Sequence, residues 1–384
     1  MKKLLLIGGS NYPSNTAMSN RYHALAKLFQ AAGCEVLIVT KGEKNGGQIK
    51  EYDGVPYLSV SGKITNRLIR AFDLLMRIPH TAKRLIREQQ FDGILMTTRI
   101  SGILRLIKKY SPKGVEAYYD ATEWYSPCEF KNGEKALAYR MKNRLIEKEI
   151  NGLLKVISIS SYFEKYFQSR NIATARIPAI LDVEKVLFVP KKGDSNKTVV
   201  MYAGSPGRKD YLKEVVEACA SLTGVEREKL EIRLLGLTKE FLVTQCGATQ
   251  AALDMAGDAI KCMGRVPHER VLEELQKAHF TILIRPHDER YAKAGFPTKV
   301  PESLATGTPV ICNLTSDLGM YLRDGKNAIV LASENVEDVV IGLRRAINLS
   351  SEEKEKMSVM ARKTAEESFD YRKYVVSLIK LFDS

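Results

Sequence analysis

The sequence predicts an α/β protein made of two doubly wound Rossmann-like domains that face a central cleft. Short apolar runs alternate with segments of helical periodicity, as parallel strands alternate with crossover helices. This alternation restarts near the midpoint, after the polar stretch "PKKGDSNK" at residues 190–197. A chain of 384 residues is also long enough to form two hydrophobic cores. We therefore expect a first domain over residues 1–188 and a second over 189–365.

The first domain is predicted to open on a buried strand, because the run "LLLI" leads directly into two glycines. A helix should follow over residues 20–33, where Leu25, Leu28 and Phe29 fall on one face. The remaining strands of this domain are predicted at residues 35–42, 92–98, 115–122 and 155–161.

The second domain repeats the alternation. A strand at residues 198–205 leads through a glycine loop into a helix at 210–222. Its remaining strands are predicted at residues 230–236, 259–266, 280–286, 309–314 and 328–333. Helical segments then close the chain.

The composition is that of an ordinary globular protein, with 45% hydrophobic and 27% charged residues. The apolar run after the two N-terminal lysines is too short for a signal-peptide core or a membrane span. The six cysteines are scattered, which favours reduced thiols over a disulfide framework or a zinc site. We therefore expect a cytoplasmic protein.

The formal net charge of +14 is unevenly distributed. Lysines and arginines are concentrated between residues 62 and 113, with apolar residues interleaved at helical spacing. Three interpretations are open: a solvated helix face, a docking surface for anionic lipid headgroups at the inner face of a membrane, or a nucleic-acid surface. The chain has no recognisable nucleic-acid module, so we expect no nucleic-acid partner.

The stretch "AGFPTKVPESLATGTPVI" at residues 294–311 predicts a short helix. Thr298 is its expected N-cap, Pro301 is tolerated in the first turn, and Gly307 ends it after roughly nine residues. The free N–H groups at such a helix start can bind an anion, above all a phosphate. The loop into this helix also follows a strand, and ligands bind at the carboxyl edge of open α/β sheets.

Glu302 lies one turn into that helix, and two interpretations of it are open. Its charge complements the helix dipole, or its two oxygens accept hydrogen bonds from neighbouring hydroxyls of a sugar. A second element, "MYAGSPGRKDYLKE", brings Arg208 and Lys209 to the start of another helix, where two cations can neutralise a diphosphate. A nucleoside diphosphate would satisfy both elements at once.

A polar cluster ends the strand predicted at residues 115–122. It contains Asp120, Glu123 and Trp124. The cluster is either a capped strand end in which Trp124 is a packing anchor, or a wall that contacts a sugar, with Trp124 stacked on the sugar face.

These stretches resemble the GT-B glycosyltransferases of family 4, the retaining, nucleotide-sugar-dependent enzymes also described as group 1. The strongest part is "GFPTKVPESLATGTPVI", which is similar to the family's donor-binding helix with its terminal Glu. "YAGSPGRKD" resembles the segment that carries the basic pair, and "CMGRVPHERVLEELQKAHFTILIRP" resembles the segment around the nucleobase. Residues 366–384 resemble a terminal helix that crosses back to the first domain.

The resemblance implies roles for individual residues. Those implied for catalysis are Arg208, Lys209, Glu302, Asp120 and Glu123, the last two as sugar-positioning groups. Those implied for donor binding are Gly204, Ser205, Arg265, Gly295, Phe296, Pro297, Thr298, Lys299, Asn15 and Thr16. The resemblance also implies that no metal and no other cofactor is required, because the cations balance the leaving diphosphate.

The sequence departs from the family pattern at two places. Ala294 stands where the family often has a first Glu that contacts the donor sugar. Thr16 and Ala17 stand where the family has a Gly-Gly pair near the β-phosphate.

The resulting hypothesis is transfer of a sugar from a UDP- or GDP-linked donor to a glycan or a polyprenyl-linked glycan, in surface polysaccharide biosynthesis. Two alternatives remain open. One is a nucleotide-sugar 2-epimerase or related phosphorylase on the same fold, and the other is a non-catalytic nucleotide-sugar-binding protein.

Overall fold

A computed structural model describes residues 1–14, 16–42, 47–61, 66–190, 197–204, 206 and 209–384. These residues form two compact units, one made of residues 1–182 and 370–384 and the other of residues 183–369. Each unit contains one sheet with helices packed against it, and nearly all strand pairs are parallel. The predicted α/β class with two doubly wound domains is confirmed.

The described strands of the first unit form a sheet of eight. They are β1 Lys3–Tyr12, β2 Glu35–Gly42, β3 Lys50–Tyr52, β4 Val55–Ser59, β5 Gly93–Met96, β6 Glu116–Ala121, β7 Lys155–Ser158 and β8 Thr174–Arg176. Their order across the sheet is β3-β4-β2-β1-β5-β6-β7-β8, and only β3 and β4 pair in antiparallel fashion. The hairpin formed by β3 and β4 was not predicted.

The helices of this unit begin with α1, whose start at Ala17 follows the N-cap Thr16. Leu25, Leu28 and Phe29 are fully buried on α1, as its sequence predicts. Burial of each such side chain contributes about 1.5–3 kcal/mol. The helices are α1 Ala17–Ala31, α2 Arg67–Phe72, α3 Ile78–Gln89, α4 Ser101–Tyr110, α5 Leu137–Arg144 and α6 Ser161–Gln168, with π-helical turns at Asp73–Arg77 and Leu145–Glu149 and 3₁₀ turns at Ser111–Lys113, Pro127–Glu129 and Gly133–Lys135.

The second unit contains a described sheet of six parallel strands. They are β9 Thr198–Ala203, β10 Leu230–Leu235, β11 Ile260–Gly264, β12 Phe280–Leu283, β13 Val310–Asn313 and β14 Ala328–Leu331. Their order is β11-β10-β9-β12-β13-β14. The chain thus steps outward from β9 to β11, then returns to place β12 on the other side of β9. This reversal creates a topological switch point between β9 and β12.

The helices of the second unit cover both faces of its sheet. They are α7 Leu212–Ser221, α8 Gly224–Glu228, α9 Lys239–Thr244, α10 Gln250–Ala256, α11 His268–Lys277, α12 Arg290–Ala294, α13 Lys299–Ala305, α14 Leu318–Tyr321, α15 Val336–Asn348 and α16 Ser351–Ser368, with 3₁₀ turns at Val183–Lys185 and Gly257–Ala259. The core between helices and sheet includes Val200, Val216 and Ile232, which are fully buried.

The end of the chain belongs to the first unit. A 3₁₀ turn at Tyr371–Tyr374 leads into α17 Val375–Phe382. The Phe382 ring packs 5.7 Å from Phe29 and 5.9 Å from Tyr118, between ring centroids. Lys155 Nζ donates to the Phe382 carbonyl at 2.7 Å, so the terminal helix is fixed at both its apolar face and its last turn. In the described part of the chain, none of the helices combines the length and the apolar composition that a membrane span requires.

Candidate functional site

The candidate site lies at the carboxyl ends of β9 and β12, the switch point of the second sheet. Ligands of open α/β sheets bind at such points, because the loops leaving the two strands turn to opposite faces and leave a crevice between them. Asp210 follows β9, Arg285 follows β12, and Lys299 opens α13. The structure brings these three side chains into contact.

Asp210 is the centre of this cluster. Its carboxylate accepts from Lys299 Nζ at 2.5 Å, from Arg285 Nε at 2.8 Å and from the Tyr202 hydroxyl at 2.7 Å. Only 2% of its side chain is exposed. Burial acts to raise the pKa of Asp210, but the charges of Lys299 and Arg285 outweigh it and lower the pKa to about 2. The carboxylate is therefore ionised at neutral pH and holds two cations in place.

Arg285 is fixed from a second direction. The buried Asn313, at the end of β13, accepts from the Arg285 backbone N–H at 3.0 Å and donates to the Arg285 carbonyl at 2.6 Å. The backbone of Arg285 is held by Asn313 and its guanidinium by Asp210. Arg285 is thus a rigid part of the site, with 14% of its side chain exposed.

Lys299 is the more accessible cation, with 30% of its side chain exposed. Its ammonium also donates to the Tyr202 hydroxyl at 2.9 Å and lies 4.5 Å from the centroid of that ring. Burial, aided by the charge of Arg285, lowers the pKa of Lys299 against the opposing effects of Asp210 and Glu302. An ammonium in this setting is poorly hydrated and gains from contact with an anion.

Glycines line the carboxyl edge of three neighbouring strands. Gly204, Gly236 and Gly264 follow or end β9, β10 and β11, with φ of +133°, +91° and +61°. A Cβ on Gly204 would lie 2.9 Å from Lys299 Cε, and one on Gly236 would lie 2.7 Å from the Gly204 carbonyl oxygen. Only glycine allows this backbone and leaves room for the Lys299 side chain.

The helix α13 starts at Lys299 as predicted, but it has seven residues and not nine. Thr298 stands at the N-cap position as predicted, but it has helical dihedral angles and its side chain makes no capping hydrogen bond. The Val300 N–H already donates to the Pro297 carbonyl at 3.1 Å. Gly307 ends the helix with φ of +69°, as predicted.

The segment before α13 is largely buried. Gly295, Phe296 and Pro297 are buried, and the Phe296 ring packs on Tyr321 and Phe369 at centroid distances of 5.7 and 5.8 Å. The ring of Phe296 is therefore a core side chain, and only its backbone is left for a ligand. Glu302 is partly buried in the first turn of α13, and its charge acts on Lys299.

The other predicted catalytic and donor-binding residues divide into three groups. Arg265 follows β11 with an exposed side chain, and Lys209 Nζ lies 5.5 Å from the centroid of the Tyr291 ring. Thr16 accepts from the Ser19 N–H at 3.3 Å as the cap of α1, so its hydroxyl already has a structural partner. Three predicted residues lie outside the described part of the chain: Asn15, Ser205 and Arg208.

Asp120 corrects the sequence interpretation of the first unit. Its carboxylate is fully buried and accepts from Arg21 at 2.8 and 3.2 Å. Arg21 is itself buried and donates to the carbonyls of Ile177 and Pro178. Both oxygens of Asp120 are thus engaged in an ion pair that joins α1, β6 and the chain after β8. It does not reach solvent, so it cannot contact a sugar without breaking this pair.

Glu123 and Trp124 have different surroundings. Glu123 is partly buried and accepts from the Tyr125 hydroxyl; burial and this carboxylate raise the pKa of Tyr125. Trp124 is 6% exposed and stacks on Phe163 at 5.8 Å between ring centroids. The packing-anchor interpretation of Trp124 is therefore the one that the structure supports.

Asp210 was missed by the sequence interpretation, although it directly follows the basic pair. Its partners Arg285 and Lys299 lie 75 and 89 residues further along the chain, so no local pattern joins them. Among the described residues, no group of three or more His, Cys, Asp or Glu side chains is arranged to hold a metal ion.

The chain is similar in sequence to one protein family and in fold to several solved structures. Residues 185–364, which include the whole Asp210 cluster, match the family model described as glycosyl transferases group 1. No curated protein is significantly similar in sequence to the chain. Among solved structures, sucrose-phosphate synthase from Thermosynechococcus elongatus is similar with a TM-score of 0.76 and 14% identity, covering 100% of this chain and 98% of that one.

Two further solved structures share the fold. Anabaena HepE, crystallised with UDP and glucose, has a TM-score of 0.68 and 14% identity, with 100% of each chain covered. WaaG, a glycosyltransferase involved in lipopolysaccharide biosynthesis, has a TM-score of 0.65 and 14% identity, with 98% of each chain covered. The whole chain therefore has the GT-B fold. Within this fold, the group 1 family model matches residues 185–364, which lie in the second unit.

Proposed function

We propose that this protein is a glycosyltransferase that moves a sugar, with retention of its anomeric configuration, from a UDP- or GDP-linked donor to a glycan or lipid-linked glycan. The observation that carries the proposal is the cluster of Lys299, Arg285 and Asp210 at the switch point, within the segment that matches the group 1 family. The proposed setting is surface polysaccharide biosynthesis in the cytoplasm, and assignment to family 4 is part of the proposal.

The donor diphosphate would bind beside Lys299, with Lys209 and Arg208 contributed by the loop after β9. Hydrogen bonds between charged groups contribute about 1.5–3 kcal/mol each. Glu302 would accept from two neighbouring ribose hydroxyls, as carboxylates do in other nucleotide sites. Arg265 would lie beside the base. HepE was crystallised with UDP, which makes UDP the first nucleotide to test.

In the proposed reaction the bond between the sugar C1 and the diphosphate oxygen breaks, and a bond from C1 to the acceptor oxygen forms on the same face. The acceptor proton passes to the leaving phosphate oxygen. The cations stabilise the charge that develops on the leaving diphosphate, so we propose that no metal is required. Glu123, the partly buried acid after β6, stays a proposed sugar-positioning group.

Calorimetry with UDP and GDP tests the donor site. Glu302→Ala and Lys209→Ala should each weaken binding of the accepted nucleotide by about tenfold or more. Lys356→Ala is a matched control, because Lys356 pairs with its helix neighbour Glu352 and is largely exposed in the same unit. Unchanged affinity in both site variants would refute the assignment of these residues.

Ala294 favours one alternative, a binding protein without transfer. Its methyl group is fully buried at the end of α12, where the resembling family often has a donor-contacting carboxylate. Incubation with labelled UDP- and GDP-sugars separates the candidates. Transfer or hydrolysis supports the proposal, isomerisation indicates a 2-epimerase, and binding without turnover indicates a non-catalytic protein.

We also propose contact with the inner face of an anionic membrane through α2, the following π-helical turn and α3. Four apolar side chains on this stretch are substantially exposed: Ile69 43%, Phe72 50%, Leu75 56% and Met76 58%. Arg77, Lys83, Arg84 and Arg87 are exposed on the following turns. Exposed apolar side chains next to cations are typical of interfacial helices. Co-sedimentation with anionic but not with neutral vesicles is the expected result, and equal binding to both contradicts the proposal.

A further inference from the structure

The first unit contains a groove of about 460 Å³ between the end of β4 and the helical stretch from α2 to α3. This volume is within the range of small-molecule sites, about 300–1,000 Å³. β4 is parallel to its neighbour β2, so the groove opens beside the carboxyl edge of the sheet. Ligands of α/β sheets bind at this edge.

The walls of the groove are mainly apolar. Leu58 and Val60 line it from the strand side, and Phe72 and Met76 line it from the helix side. Leu58 is 2% exposed, whereas Phe72 and Met76 leave half or more of their surfaces exposed. Two large apolar side chains that face a groove rather than a core gain free energy when an apolar ligand covers them.

The rim of the same groove is cationic. Arg77, His80 and Arg84 lie on successive turns of the helical stretch and line the groove along its length. Arg84 is half exposed and its Nε is 3.9 Å from Glu88, too far for a strong hydrogen bond. Its guanidinium can therefore bind an anion without breaking a close pair.

Arg77 is held in place by a buried partner. Asp73, fully buried in the π-helical turn, accepts from Arg77 Nη1 at 2.9 Å and from the Ser61 hydroxyl. The same guanidinium lies 5.3 Å from the centroid of the Phe72 ring. Asp73 thus links the end of the β4 segment to the helix, and it positions a cation directly beside an apolar wall. The groove therefore combines a guanidinium held in a fixed position with an adjacent apolar surface.

We propose that this groove binds the lipid-phosphate part of the acceptor, a phosphate carried on a single long apolar chain. The phosphate would bind Arg77 and Arg84, and the first carbons of the chain would lie against Leu58, Phe72 and Met76. Charge complementarity selects the anion, and the apolar walls select the chain over a free phosphate. The proposal rests on the proposed function, since it names the chemical class of the acceptor's carrier.

Calorimetric titration with farnesyl phosphate, kept below its aggregation concentration, tests the groove in the full-length protein. Farnesyl phosphate should bind, and farnesol and inorganic phosphate should each bind at least about tenfold more weakly, because each lacks one half of the recognised chemistry. Equal binding of farnesol would overturn the proposal, as would competition by inorganic phosphate at the same concentration as farnesyl phosphate.

Matched variants on the same helical stretch separate the groove from general adsorption to a membrane. Arg84→Ala and Met76→Ser alter lining residues, whereas Arg87→Ala and Leu75→Ser alter exposed residues beside the lining. The first two should weaken farnesyl phosphate binding by about tenfold each, since a buried methylene contributes about fourfold and a charged hydrogen bond more. The last two should leave it unchanged. Equal losses in all four variants would show diffuse adsorption and overturn the groove.

The donor site provides an internal reference. UDP binding to the same protein reports on the proposed donor site, whose Asp210 cluster lies in the second unit. If the protein binds UDP but not farnesyl phosphate, the groove proposal is refuted and the proposed transfer is unaffected. If the protein binds farnesyl phosphate but neither UDP nor GDP, the proposed donor site is refuted and the groove proposal stands.

Discussion

Replacing Asp210 with Asn tests the physical basis of the candidate site. Asp210 is buried between Lys299 and Arg285, and its pKa is lowered from 3.8 to about 2. This lowering of the pKa corresponds to roughly 2–3 kcal/mol of net stabilisation of the ionised form at neutral pH. Asp210→Asn removes this charge and leaves two cations facing each other, so the loss should be at least about 2 kcal/mol.

Differential scanning calorimetry is a suitable assay, because two units need not unfold as one. In a domain of this size, 1 kcal/mol shifts Tm by about 2–4 °C, so the transition of the second unit should fall by about 5–10 °C. Asp324→Asn is the matched control in the same unit. Asp324 is 51% exposed and paired with Arg345, and exposed pairs contribute about 0–1 kcal/mol.

The stability contribution of Asp210 should depend on pH in a defined direction. The folded-state pKa of Asp210 lies below its unfolded value, so its contribution is fully present above about pH 4 and is lost as pH falls toward 2. The Tm difference between the wild type and Asp210→Asn should therefore be constant near neutrality and shrink in acid. Equal Tm values for Asp210→Asn and Asp324→Asn at pH 7 would refute the reasoning.

Three further predictions concern single positions. Gly204→Ala should lower Tm and weaken UDP binding, because φ of +133° disfavours alanine and its methyl would press on Lys299; Gly224→Ala, with open space around it, is the control for both measurements. Lys299→Ala should weaken UDP binding by about tenfold in calorimetry and leave uridine binding unchanged, since uridine has no phosphate. Arg21→Leu should cost about 3–5 kcal/mol in chemical unfolding by leaving the Asp120 carboxylate buried without its cation, and Leu at both positions should recover most of that loss.

The strands and the start of α13 could be predicted because their signals are local. The alternation of apolar runs and helical periodicity located every described strand of the second sheet within a few residues. The β3–β4 hairpin was missed although "DG" at residues 53–54 is a hairpin signal, with φ of +51° and +72° in the structure. β3 has three exposed residues, so it has no apolar alternation that would mark it as a strand.

Pairs of charged side chains could not be predicted in the same way. Asp120 and Asp210 look alike in sequence, since each follows or ends a buried strand in a polar stretch. Asp120 is neutralised by Arg21, 99 residues earlier, and its side chain is fully buried. Asp210 holds two cations that lie far along the chain, and one of them, Lys299, is partly exposed. Tertiary pairing alone distinguishes a structural carboxylate from one that organises a site.

The charges in the Asp210 cluster also indicate which cation would contact the proposed diphosphate. One carboxylate between Lys299 and Arg285 leaves a net charge of about +1 before any neighbour is counted. Arg285 is held by Asp210 at its side chain and by Asn313 at its backbone, so it has little freedom to turn. Lys299 is about twice as exposed, and its ammonium is held by Asp210 and the Tyr202 hydroxyl. A diphosphate can therefore draw on Lys299 while Arg285 keeps Asp210 neutralised. For this reason Arg285→Lys should lower Tm with little loss of UDP affinity. Lys299→Arg should instead weaken UDP binding with little change in Tm.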